Sequence, residues 1–488
     1  MTAAYDLVIR EGRVGTAADV FVCDIGVKGG RIAALGHELP KGEIEINARG
    51  RLVLPGGIDA HIHLSQTLFD NAELADDFTS GTRSAACGGT TTIIPFAYQE
   101  KGQSLRAAVQ EYHTRSDGKA YVDYAFHLII TDPTPTVLNQ ELPALIADGY
   151  TSFKLYMTYD PLKLNDRQIL EILSLARRER AMSMVHAENT DVISWLTDLL
   201  EHSGRTAPKF HAVSRPPVGE GEATHRAISL SELLEVPILI VHVSSREALE
   251  EIRRAQSRGL RIHAETCPQY LFLTADDLDL PDGEGVRCIC SPPPRDKATQ
   301  EVLWTGLANG SFSIVSSDHS PFSMKSPHGK FVNGRDAPFS KIPNGVPGVE
   351  TRLPLLMSEG VMKNRITLQQ FIALTATNAA RLYGLSNRKG SIAIGADADL
   401  VIWNTDRQVR ISQSMLHHAT DYTPYEGMTV SAWPDVVLSR GDVVVEGGEP
   451  VPSLATGRGQ FLRCDRPDAA APRDDVPGIE AGIAAMRV

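Results

Sequence analysis

The run Asp59-Ala60-His61-Ile62-His63 places two imidazoles one residue apart, directly behind Pro55-Gly56-Gly57. Side chains of a β-strand alternate between its two faces, so on an extended backbone His61 and His63 project the same way. Two imidazoles at the end of a strand can hold one metal ion. The same spacing also describes an ordinary pair of half-buried, hydrogen-bonded histidines. The two readings part on whether further ligand-capable residues recur at later strand ends, and they do. Ser152-Phe153-Lys154-Leu155-Tyr156-Met157 carries Lys154, and Met184-Val185-His186-Ala187-Glu188 carries His186. Leu239-Ile240-Val241-His242-Val243-Ser244 carries His242, and Ile314-Val315-Ser316-Ser317-Asp318-His319 carries Asp318. Four histidines, an aspartate and a lysine at apolar strand ends point to a metal constellation. Lys154 is the odd member, because an ammonium cannot ligate a metal and is costly to bury alone. Either it pairs with a carboxylate such as Glu188, or its neutral amine has captured carbon dioxide as a carbamate that bridges two metals. The residues by themselves leave both readings open.

The elements that would position these residues alternate. Apolar strand candidates are Thr90–Ala97, Tyr121–Ile130, Ser152–Met157, Met182–His186, Pro237–Ser244, Arg261–Glu265 and Ser313–Ser317, with helical patterns such as Asp166–Arg178 and Ser245–Arg258 between some of them. With the strand before His61 they number eight, which predicts a (β/α)8 TIM-like barrel with its chemistry at the C-terminal strand ends. Residues 5–54 read instead as short strands between Gly-rich turns. The same texture returns in Ala398–Trp403 and Asp442–Glu446. The economical reading is an α/β chain with a small β-sandwich domain formed from both termini, residues 1–55 and 388–464. The barrel is inserted as residues 56–387, and a Pro-, Ala- and Asp-rich tail follows from 465 to 488.

Composition narrows the function classes. A net charge of −12 with scattered lysines and arginines disfavours nucleic acid. No apolar run approaches the roughly 18–20 residues of a membrane span. The N-terminus Met1-Thr2-Ala3-Ala4-Tyr5-Asp6 lacks a basic-then-apolar leader, which reads as a cytoplasmic protein. Six cysteines in 488 residues do not make a disulfide framework, and the Cys288/Cys290 pair has no second pair to complete a four-thiolate site.

Taken together, the motifs resemble the hydantoinase/dihydropyrimidinase family of cyclic amidohydrolases over almost the whole chain, to about residue 464. They include Pro55-Gly56-Gly57-Ile58-Asp59, Gly88-Gly89-Thr90-Thr91, Ser152-Phe153-Lys154, His186-Ala187-Glu188-Asn189 and Arg215-Pro216-Pro217. Val241-His242-Val243-Ser244, Glu265-Thr266-Cys267-Pro268-Gln269-Tyr270, Ser291-Pro292-Pro293, Ser317-Asp318-His319 and Ile342–Gly348 complete the set. The resemblance implies two divalent ions, in most relatives zinc. His61, His63 and Asp318 would hold the more buried ion and His186 and His242 the more exposed one, with carbamylated Lys154 as the bridge. It also implies that Tyr159 contacts substrate, that the backbones at Ser291 and Asn344 bind a ring imide, and that the assembly is a homotetramer. Asp59 and Glu188 are expected to orient ligands from behind.

The chemistry that follows is hydrolysis of a ring amide in hydantoins or dihydropyrimidines, giving N-carbamoyl amino acids. Asp318 is the expected proton shuttle, and Tyr159 the donor to the developing oxyanion. Imidase and allantoinase activities would use the same site. Dihydroorotase is disfavoured, because Ser65 stands where its relatives place a carboxylate-binding arginine. A catalytically inactive assembly protein on the same fold would lack the six ligand positions, all of which are filled here. The preferred ring stays open, since it depends on the loops around residues 64–71, 95–101 and 157–165.

Overall fold

Runs of β-branched residues broken by glycine pairs build the first region of the structure, a computed structural model that describes residues 3–67, 71–452 and 457–472. Strands β1 (Tyr5–Gly15), β2 (Val20–Lys28), β3 (Arg31–Gly36), β4 (Gly42–Asn47) and β5 (Leu52–Pro55) come from the N-terminal part. The β2–β3 hairpin turns on Gly29 and Gly30 with φ of +59° and +75°, the left-handed pair that a two-residue turn between twisted strands requires. After the barrel come β15 (Leu400–Asn404), the ribbon β16 (Val409–Arg410) and β17 (Thr429–Val430), then β18 (Trp433–Ser439), β19 (Asp442–Glu446) and β20 (Glu449–Pro450). One nine-stranded sheet interleaves the two ends of the chain in the order β20-β19-β18-β15-β5-β1-β2-β3, with β4 beside β1. Its hinge is β5, which runs parallel to β1 and antiparallel to β15. Leu7, Ile9, Ile25, Val53, Leu400 and Leu438 share one core, so neither terminal segment can bury its apolar face without the other.

The second sheet is the barrel. Its strands are β6 (Gly57–Ile62), β7 (Thr90–Tyr98), β8 (Asp123–Tyr124), β9 (His127–Ile129), β10 (Ser152–Tyr156), β11 (Met182–His186), β12 (Ile238–Ile240), β13 (Ile262–Thr266) and β14 (Ile314–Val315). All of its pairings are parallel, in the order β14-β13-β12-β11-β10-β9-β7-β6 with β8 beside β7. The ring closes where Asp318 N donates to His61 O at 2.9 Å and His63 N donates to His319 O at 2.8 Å. The fold is therefore the expected TIM-like barrel with a separate β-sheet region.

Two of the expected strands differ from the observed ones in a way that matters for the site. Tyr121–Ile130 is split into β8 and β9, because Tyr124 turns aside to pair with the chain near Phe461. Pro237–Ser244 and Ser313–Ser317 are strand only over Ile238–Ile240 and Ile314–Val315, so His242 and Asp318 stand beyond the regular ladder. The tail expected from Asp465 begins as packed chain: Asp465 N donates to Gly384 O at 2.9 Å, and Ala470 is fully buried against the barrel. Residues 473–488 lie outside the described residues.

Short connections fix the strand ends. Asn189 caps helix Thr190–His202 immediately after Glu188, and Ser245 caps helix Arg246–Ser257 three residues after His242. In the latter helix Ala248, Leu249, Ile252 and Ala255 form the buried stripe, the i, i+3, i+4 spacing that lays a helix against a sheet.

Candidate active site

His61, His63, Lys154, His186, His242, Asp318, Tyr159, Ser291 and Asn344, separated by up to 283 positions in the chain (344 − 61), line one cavity of about 210 Å³ at the C-terminal mouth of the barrel. At ~30 Å³ per water this is room for a small heterocycle.

Three of the four rings, those of His61, His63 and His186, are held by one nitrogen and leave the other aimed inward. His61 bonds Glu265 Oε1 through Nδ1 at 2.6 Å, so its Nε2 faces Lys154 Nζ at 3.1 Å and Asp318 Oδ1 at 3.2 Å. His63 bonds Gln66 Oε1 through Nδ1 at 3.0 Å and turns Nε2 toward Asp318 Oδ1 at 3.5 Å. His186 bonds Glu188 Oε2 through Nε2 at 2.7 Å, leaving Nδ1 facing His242 Nε2 at 3.0 Å. Fixing the far nitrogen selects the tautomer whose free lone pair points into the cavity, as metal-binding histidines require.

Electrostatics agree with ligation. Burial pushes the imidazoles of His61 and His242 well below their ordinary range, and His186 below it as well. They are therefore neutral at physiological pH, the form that coordinates a metal. Burial alone would raise Asp318, but the His61 and His63 imidazoles and the Lys154 amine outweigh it and hold the carboxyl at about 2. Burial is likewise the largest influence on Glu188 and raises it, but the Arg215 guanidinium together with the His186 hydrogen bond outweighs it, and the carboxyl ends at about 2. Arg215 Nη1 donates to Glu188 Oε2 at 2.7 Å.

The donor set fits a metal ion. His61, His63 and Asp318 present one ligand atom each within 4.8 Å of one another. His186 Nδ1 and His242 Nε2 lie 3.0 Å apart, close enough to share one ion, and the His242 Nδ1 is buried with no hydrogen-bond partner among the described residues. A second group, Cys87 with Glu350 and His417, also meets that distance. There, however, the His417 ring is fully bonded, Nδ1 to Glu350 Oε1 at 2.8 Å and Nε2 to Glu449 Oε2 at 3.1 Å.

Strained backbone gathers at the mouth. Tyr159, His242 and Asp318 have φ of +67°, +38° and +49°, and Ser65 beside His63 has +52°. Left-handed backbone is unfavourable for non-glycine residues and accumulates where a side chain must be aimed. Tyr159 stands on the Arg215 guanidinium, 5.3 Å from its ring centroid, and its hydroxyl accepts the Asn344 Nδ2–H at 3.1 Å.

Of the residues expected to support the ligands, Glu188 touches His186 directly. Asp59 acts through backbone, with its Oδ1 accepting Ser317 N at 3.0 Å just before Asp318. His319 latches loops, bonding Asp76 Oδ2 at 3.2 Å and accepting Gly348 N at 3.1 Å. Sequence reasoning missed Glu265, Gln66, Arg215 and His211 as supports. His211 Nε2 lies 2.9 Å from Cys290 O, behind Ser291. Glu265 alone carried a usable signal, since it ends an apolar strand as the ligands do. All six cysteines are buried and unpaired. Of the loop Leu64–Phe69, Leu68 and Phe69 lie outside the described residues.

Comparison with known proteins gives the same picture. Residues 52–444 match the amidohydrolase family. The D-hydantoinase of Ralstonia pickettii is 44% identical over 459 residues, covering 94% of this chain and 98% of that protein. The D-hydantoinase of Geobacillus stearothermophilus is 45% identical over 458 residues, 93% and 96% of the respective chains. The crystal structure of dihydropyrimidinase from Brevibacillus agri NCHU1002 superposes with a TM-score of 0.91 at 41% identity, covering 94% of this chain and 99% of that one.

Proposed function

The chain belongs to the hydantoinase/dihydropyrimidinase branch of the amidohydrolase family, hydrolases of cyclic-amide C–N bonds, and from that premise we propose the following chemistry for its cavity. It opens the ring amide of hydantoins or dihydropyrimidines and releases N-carbamoyl amino acids. The observation that carries this reading is the convergence of four inward imidazole nitrogens, Asp318 and Lys154 on one small cavity. His61, His63 and Asp318 would hold one divalent ion, His186 and His242 a second, and a carbamate on Lys154 would supply oxygen ligands to both. Zinc suits this nitrogen-rich set. Bound divalent ions would make water nucleophilic near neutral pH and polarise the ring carbonyl.

The protein's own groups do the rest. The Asp318 carboxylate, held ionised, takes the proton released as water adds to the ring carbonyl carbon. It delivers that proton to the ring nitrogen as the C–N bond breaks. Burial pushes the Tyr159 phenol above its ordinary range, so it stays protonated and donates to the carbonyl oxygen as negative charge grows there. Backbone groups at Ser291 and Asn344 hold the imide edge. The homotetramer and the cytoplasmic location that the resemblance implies belong to the same proposal. Among the described residues no helix is long and apolar enough to cross a membrane.

Turnover on hydantoin, 5-substituted hydantoins, dihydrouracil, allantoin and succinimide tests the assignment. Hydantoins or dihydrouracil should lead; dominant turnover of allantoin or succinimide would overturn it.

A further inference from the structure

Behind the imide-binding edge, the loop that runs from Asp318 to Asn344 buries a lysine that the chemistry above does not use. Lys330 is 1% exposed, and its Nζ donates to two backbone carbonyls, Ile289 O at 2.9 Å and Pro343 O at 2.8 Å. Those carbonyls stand two residues before Ser291 and one before Asn344. Ile289 O also accepts the Gly345 N–H at 3.0 Å, so the two segments are tied to each other as well as to the ammonium. Among the described residues no carboxylate lies within ion-pair distance of Lys330. The Phe322 ring, at 5.7 Å, and the thiols of Cys288 and Cys290 surround it instead. Burial pushes the amine down to about 7, and neutral or charged it keeps N–H donors for both carbonyls. Closing a loop does not by itself call for a cation in such surroundings. Two hydrogen bonds from one amine to carbonyls on separate segments fix the spacing between those segments.

We propose that Lys330 is a positioning residue for the substrate, holding the Ser291 and Asn344 backbones at the separation a ring imide edge requires. The proposal rests on the ring-binding role given to those two positions above. Asn344 extends the arrangement to the oxyanion side, since its Nδ2 bonds the Tyr159 hydroxyl. Lys330 touches neither substrate nor metal ligands in this account, so its loss should weaken ring binding and spare the chemical step.

The test is steady-state kinetics of wild type, Lys330→Met and Lys330→Arg on hydantoin and dihydrouracil, with metal content and thermal midpoint measured on the same samples. Lys330→Met should raise KM about ten- to a hundred-fold, with kcat within about three-fold and metal content unchanged. Lys330→Arg, which keeps a cationic donor for both carbonyls, should recover most of the lost KM. A Lys330→Met protein with wild-type KM overturns the proposal, even if its thermal midpoint has fallen. So does a variant whose kcat and metal content fall together, which would make Lys330 a support of the metal site. If Lys330→Met is insoluble, Lys330→Gln decides by the same criteria. A wild type that opens no cyclic amide defeats the functional reading and this proposal with it. Turnover by wild type with an unmoved KM in the variants defeats this proposal alone.

Discussion

Two buried lysines, one in the barrel mouth and one where the barrel meets the β-sheet region, show how differently the molecule treats the same amine. Lys389, 4% exposed, sits among Asp123 and Asp399 at 2.7 Å and Asp397 at 3.0 Å, with Arg440 adding to the network through Asp123. Burial alone would lower it, but the three carboxylates win and raise it, so it stays charged. Asp123 belongs to β8 of the barrel while Asp399 and Arg440 belong to the sheet region, so Lys389 acts as a clamp between them. Lys154 is 1% exposed and has no carboxylate within ion-pair distance among the described residues. Its hydrogen-bond contact is an imidazole nitrogen, and the rings of Phe96 and Tyr156 lie at 5.0 and 5.3 Å. Here burial wins and lowers the amine to about 8, so a fraction is neutral near physiological pH. A charged lysine can clamp; only a neutral one has the lone pair that attacks carbon dioxide.

The largest effect should come from the mouth. Lys154→Ala is expected to lose metal and at least ~10⁴-fold in kcat/KM together while remaining folded, by metal analysis and circular dichroism. A variant with full metal and normal turnover would erase the contrast. At the seam, Lys389→Met leaves buried Asp399 without a cation, while Asp123 and Asp397 keep Arg440 and Arg388, and should cost about 3–5 kcal/mol in denaturant unfolding. The kcat/KM of its folded fraction should be that of wild type, and a large catalytic loss would break the separation of roles. Tyr159→Phe sharpens the mouth further: kcat should fall about 100-fold with metal content unchanged.

The smallest effect is a pH dependence at the seam. Hydrogen bonding to Glu350 raises His417 to about 8 against an ordinary 6.5. A folded-state pKa above the unfolded one adds stability that is complete below about 6.5 and is lost as pH rises through about 8. The thermal midpoint should therefore decline by a few degrees at most over that window, and His417→Gln should flatten the decline. A midpoint that rises through the window would have the wrong sign.

The residues that meet in the cavity were legible in the sequence because each follows an apolar strand, and strand alternation alone aims His61 and His63 together. The barrel was legible from the number and spacing of those strands. What could not be read was set by contacts across the chain. Glu265 reaches His61 only because β13 and β6 face each other inside the closed ring. Gln66 reaches His63 from a loop, Arg215 serves a side chain 27 positions away, and Lys330 ties backbone 41 positions before it to backbone 13 positions after it. The position of His242 and Asp318 beyond their strands depends on left-handed backbone, which neither residue type announces.

The proposal that Lys154, its amine lowered by burial, becomes a metal-bridging carbamate is tested most directly by ¹³C NMR. Metal-free protein is reconstituted with zinc and ¹³C-labelled bicarbonate, alongside Lys154→Ala treated identically. Wild type should show one carbamate carbon per chain, appearing together with turnover, and the variant none. Turnover restored in wild type with no carbamate signal would contradict the proposal.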